Sequence, residues 1–195
     1  MAMRAGQIDE VLAFWFDGAD DAALSRGRSA WFQRDDAFDA DIRQRFLALW
    51  ESLERGALPF DGASPRAALA WLIVADQFPR NLFRGEARAF ATDAQARQGA
   101  SQALAAGLDQ ALPPMARVFV YLPFEHSETL ADQHRSLELF AALDAQLPGS
   151  NFYDYARRHG EVIARFGRFP HRNAALGRTS TAEELSYLAE PGAGF

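Results

Sequence analysis

Apolar residues in this chain recur every three or four positions, and no stretch alternates long enough to make a half-buried strand, so the sequence predicts an all-α protein. Ile8, Val11, Leu12, Trp15 and Phe16 share one face of a first helix that Asp17-Gly18 stops. Trp31, Phe38, Ile42, Phe46, Leu49 and Leu53 stripe a second, ending near Gly56. Ser64 and Pro65 suit the N-cap and first position of a third helix, expected to run to Phe78 and close at Pro79. An alanine-rich fourth helix is expected from Glu86 to Ala106, and a fifth from Pro113-Pro114 until Pro123 cuts it. Ser127 reads as the N-cap of a sixth helix lasting to Leu147. Ser150 or Asn151 opens a seventh, through Phe166, that Gly167 ends, and a last short helix fits Ala182 to Ala189. The 195 residues contain no low-complexity linker, so one domain over 1–195, an array of seven to eight antiparallel helices, is the expectation.

Composition removes several chemistries. The chain has no Cys, and all 20 of its basic residues are Arg. Thiol nucleophiles, zinc ribbons, iron–sulfur ligation, Schiff bases and the lysine-dependent phosphate loop are therefore excluded. A net charge of -6 argues against a nucleic-acid partner, which calls for a basic face. The apolar run Leu69–Ala75 is far too short to span a bilayer, and the opening MAMRAGQIDE lacks the apolar core of a signal peptide. A cytoplasmic location without a membrane partner is expected.

Polar residues interrupt three apolar stripes. Asp76 lies seven residues after Leu69 and continues the Leu69, Leu72, Ile73 face, so it is expected to point inward. The stripe Ser136, Leu139, Phe140, Leu143, Leu147 extends backward through Asp132 and Glu128. His159 shares a face with Phe152, Ala156, Ile163 and Phe166, where a leucine would be ordinary. Buried carboxylates need partners, so Asp76, Glu128 and Asp132 should each meet an Arg, a His or donor groups. Short connections imply alternating helix direction, which would bring three segments to one end of the array. These are Asp76 to Asn81 with Arg84 and Arg88, Pro123 to Glu128, and Gly167 to Asn173. The echo between Phe78-Pro79-Arg80-Asn81 and Phe169-Pro170-His171-Arg172-Asn173 is too short to establish a repeat.

The strings VLAFWF, DQFPRNLFRGEARAFATDAQAR, YLPFEHSE and RFGRFPHRNAALGRTSTAEE span most of the chain. In them the chain resembles a bacterial family catalogued as domain of unknown function 924. That resemblance implies a tetratricopeptide-like, right-handed array of helix pairs, and no established activity.

Two functional readings follow, beside a third in which the polar strings only terminate helices and pair charges. In the first, Asp76, Glu125, His126 and Glu128 act as acids, bases or metal ligands in a hydrolytic or binding site. Arg80, Asn81, Arg84, His159, Arg168, His171 and Arg172 would then hold a small anionic ligand. No HExxH pattern or paired ExxH occurs, so no metal is assigned and no cofactor is named. Ser127 lacks a nucleophile elbow and is better read as a cap. In the second reading a tetratricopeptide-like concave face holds a protein partner. Trp15, Trp31, Trp50 and Trp71 fit core stripes.

Overall fold

The computed structural model describes residues 2–194, and among these no strand occurs. In chain order the α-helices are α1 (Ala5–Phe16), α2 (Asp21–Leu24), α3 (Asp36–Glu54), α4 (Pro65–Leu72), α5 (Phe78–Leu82), α6 (Asp93–Ala105), α7 (Pro114–Glu125), α8 (Leu130–Asp144), α9 (Phe152–Phe166) and α10 (Ala182–Leu188). The chain divides into two compact units, residues 2–84 with 88–123 and residues 85–87 with 124–194. Pro123 does not end α7, which continues to Glu125. So close to the C-terminus the proline removes a single internal hydrogen bond, which a helix tolerates.

The first unit is built on aromatic packing. Phe14 stacks on Phe38 at 4.9 Å between centroids, and Phe46 on Phe78 at 4.7 Å. The rings of Trp15 and Trp31 meet Phe119 edge-on at 5.5 and 4.8 Å. Trp31 stands outside α3, in a 3-10 turn over Ser29–Trp31, because Asp35 caps α3 by accepting from the amides of Ala37 and Phe38. It is buried all the same, and its indole N–H donates to the Trp15 carbonyl at 2.7 Å.

Pro79 does not close the third helix either. It lacks the N–H that would pair with the Ala75 carbonyl, and its ring would strike that carbonyl in a regular α-helix. The chain widens into a π-turn over Ile73–Gln77, where the Phe78 amide bonds Ile73 five residues back, and then resumes as α5. The Thr92 hydroxyl takes the released Ala75 carbonyl at 2.5 Å and accepts from the Trp50 indole at 3.3 Å. With its hydroxyl so engaged, Thr92 makes no side-chain cap on α6. The single helix expected from Glu86 is accordingly a 3-10 turn, Ala87–Phe90, followed by α6. Replacing Thr92 by Val keeps the shape but leaves two buried polar groups without their bond, so T92V is expected to lose about 2 kcal/mol in denaturant unfolding. A loss below about 0.5 kcal/mol would show that the π-turn does not need this hydroxyl.

In the second unit α8 packs along α9. Thr129, not Ser127, caps α8, accepting from the Asp132 amide at 3.3 Å. Ser127 instead donates to the Asp132 carboxylate at 2.6 Å, and Thr129 does so at 2.7 Å. The inward face of α8 carries Gln133, Ser136, Phe140 and Leu143, so Gln133 occupies the place expected of Asp132. Helix α9 buries Ala156, His159, Val162 and Ile163, and ends where Gly167 takes φ +69°. That left-handed conformation favours glycine. Phe169 closes a small core with Val162 and Ile163, against which Phe166 and Tyr187 pack.

Candidate functional site

The sequence-predicted residues fall in both units. In the first, Asp76 is fully buried on the π-turn, where the Gln77 amide donates to it at 2.6 Å. Arg80 reaches Asp93 at 2.7 Å and Asp76 at 3.9 Å, and also donates to the Ala89 carbonyl. Asn81 donates to Asp39 at 2.7 Å, and Arg84 forks onto the same carboxylate. Burial raises the Asp39 pKa, but the bonds from Arg84 and Asn81 outweigh it and the net shift is downward. These side chains tie α3, α5 and the start of α6 together.

The second unit gathers Glu125, His126, Glu128, His159, Arg168, His171 and Arg172. The Glu125 carboxylate stands 3.1 Å from Nδ1 of His159, and the same nitrogen lies 2.8 Å from the Tyr155 carbonyl. Both neighbours are acceptors, so Nδ1 carries the proton and the Nε2 lone pair is the basic position. Burial drives the His159 pKa down to about 3, against the Tyr155 bond, with smaller electrostatic contributions from His126, His171 and Arg172. The ring is thus neutral at neutral pH. It lies 6.4 Å from the His126 ring and meets Phe169 edge-on at 5.5 Å. Phe169 in turn carries the Arg172 guanidinium 4.6 Å over its face and the His171 ring at 5.6 Å. His126 and His171 are half-buried, whereas Glu125, His159 and Arg172 are buried.

Two arginine clamps hold the loop that presents His171 and Arg172. Arg178 grips both oxygens of Glu128 at 2.8 and 3.0 Å and donates to the Phe169 carbonyl, while Glu128 accepts from the Phe169 amide at 2.8 Å. Burial raises the Glu128 pKa, but these bonds and the Arg178 charge leave it net lowered. Arg168 grips Glu184 at 2.6 and 2.8 Å, and Glu184 also closes a capping box with Thr181 and accepts from Asn173. Hydrogen bonding from Arg168 brings the Glu184 pKa down to about 2. Glu128, expected as an acid, base or metal ligand, and Arg168, expected to hold an anionic ligand, are both engaged in these clamps on the loop.

A model of the family described as bacterial protein of unknown function (DUF924) matches residues 11–192. The chain belongs to the DUF924 family. It is 38% identical to a solved protein of unknown function, ATU0120, from Agrobacterium tumefaciens, over 95% of this chain and 98% of that one, with a TM-score of 0.82. No curated protein matches the chain. The DUF924 match takes in both the Glu125–His159 pair and the loop around Phe169.

In this DUF924 chain Arg178, Glu184 and Gln133 complete the second-unit cluster without having been expected there, and Asn173, expected in this segment but given no role, joins them. The Thr181 to Glu184 spacing was a capping-box signal. Gln133 could have been found from its offsets of three and seven to Ser136 and Phe140. Nothing in the sequence marks the partner of Arg178, which lies 50 residues away. A cleft of about 290 Å³ opens between α9 and α10, but it is lined by none of the expected site residues. Its arginines are engaged, Arg165 with Glu183 and Arg158 with the Gly192 carbonyl. Among the described residues no three His, Asp or Glu side chains lie close enough together to hold a metal ion.

Proposed function

We propose that the second unit binds a small anionic ligand beside Phe169, with the Arg172 guanidinium as its cationic contact, the His126 and His171 rings as hydrogen-bonding contacts and Glu125–His159 as an acid–base pair. The observation that carries this reading is the Glu125–His159 contact at 3.1 Å, set beside the Arg172 guanidinium and two further imidazole rings. A ring with a pKa near 3 is a poor general base at neutral pH. An arriving anion would offset the Arg172 charge that helps hold the ring neutral, so its pKa would rise toward the working range. In hydrolysis His159 Nε2 would then take a proton from the attacking water while Glu125 steadies the imidazolium. The cytoplasmic placement expected from the sequence suits a small-metabolite ligand. No described helix is long and apolar enough to cross a membrane.

The test is a histidine titration by NMR with and without inorganic phosphate and citrate. Either anion is expected to raise the His159 pKa by at least one unit and to shift the His126 and His171 ring signals. E125Q should reduce the His159 response while the other two rings still move. Three histidine signals unmoved by millimolar phosphate and citrate would sink the proposal.

A further inference from the structure

We infer that the buried face of α8 holds one internal water molecule between Gln133 and Gly160, anchoring the amide from which the Glu125 segment hangs. The side chains of Gln133 and Ser136 are fully buried. Gln133 Nε2 donates to the Glu125 and Ser127 carbonyls, each at 2.7 Å, and more weakly to Phe124 at 3.5 Å. A flipped amide would set its oxygen against those carbonyls, so the orientation is fixed and Oε1 faces away from them. There it meets no protein donor, and Ser136 Oγ, three residues on along the same face, has no protein partner either. Buried polar atoms left in this way call for a bound water or ion.

The facing helix leaves room for one. A methyl built on Gly160 of α9 would stand 3.9 Å from Gln133 Oε1 and 3.5 Å from Leu137 Cδ1, so the missing side chain opens a slot at the orphaned oxygen. Side chains at i and i+3 lie about 5–6 Å apart at Cβ, a span that one water bridges with two ordinary hydrogen bonds. The two orphaned groups are a neutral amide oxygen and a neutral hydroxyl, which require a neutral donor rather than a cation. Because Gln133 joins the carbonyls of Glu125 and Ser127, the water steadies the backbone on either side of His126. This site goes beyond the ligand-binding reading and does not depend on it.

Its test uses the unliganded full chain. In a dry interior Gly160→Ala would raise Tm, since alanine is the better helix former and the methyl fits. Ser136→Ala would raise it too, by removing an unpaired hydroxyl. With the water in place each substitution costs it a partner or its space, and each is expected to lower Tm by about 2–4 °C. Water–protein cross-relaxation by NMR should show a long-lived water at the Gln133 side-chain amide. Higher Tm in both variants with no such cross-peak would overturn the inference, and where the two stabilities disagree the presence or absence of the cross-peak decides.

Discussion

Replacing Phe169 by alanine is expected to destabilise the protein by about 3–5 kcal/mol in denaturant unfolding, the range for deleting a fully buried aromatic ring that leaves a cavity. The ring fills the small core with Val162 and Ile163 and is the surface on which His159, His171 and Arg172 are arranged. Its backbone is held at both ends by the second-unit clamps, the amide by Glu128 and the carbonyl by Arg178. The loop therefore cannot collapse freely into the cavity, which places the loss toward the upper part of that range. Phe169→Leu should recover all but about 1–1.5 kcal/mol, because most of the volume returns. The same F169A variant should let the His159 pKa climb back toward 6.5, since burial is the largest cause of its depression. A loss below about 1 kcal/mol, with the His159 pKa unmoved, would show that Phe169 does not organise this cluster.

What the sequence made legible follows the range over which each signal acts. Helix ends set by one residue's backbone preference were readable: Asp17 at the end of α1, Ser64 and Pro65 at the start of α4, Gly167 after α9. Pro79 misled because its effect was met by a tertiary partner, Thr92, which took the carbonyl the proline had left and let the helix resume. Trp31 misled because a stripe of apolar residues does not reveal that Asp35 restarts the helix between its members. The inward placing of Asp76 and His159 followed from helical offsets alone. The ion pairs of Glu128 and Arg168 did not, since a charged residue beside a histidine-rich turn gives no sign of which oppositely charged residue many positions downstream it meets. The echo of Phe-Pro-Arg-Asn illustrates the limit: one copy lies within helix α5, the other in the 3-10 turn Pro170–Arg172. Short strings of similar composition took different backbone forms because their neighbours differ.

Acidification offers the sharpest view of the Glu125–His159 pair. An unfolded histidine titrates near 6.5, whereas in the folded protein His159 is held to about 3. The unfolded chain thus binds the proton first. Folding stability from this group is complete above pH 6.5, falls as pH drops through the window, and stops falling below about 3. Between pH 7 and pH 4 the loss attributable to His159 alone should be about 3 kcal/mol. Glu128 and Glu184, whose pKa values are lowered in the fold, also lose stability in acid, so the total slope is not diagnostic. His159→Asn keeps a short side-chain donor for the Tyr155 carbonyl and cannot take up a proton. Its unfolding free energy, followed by urea titration at pH 7, 5.5 and 4, should fall less steeply than that of the unsubstituted chain by that same amount. Parallel slopes for the two proteins would mean that His159 titrates in the fold as it does in the unfolded chain, and that burial does not hold its ring neutral.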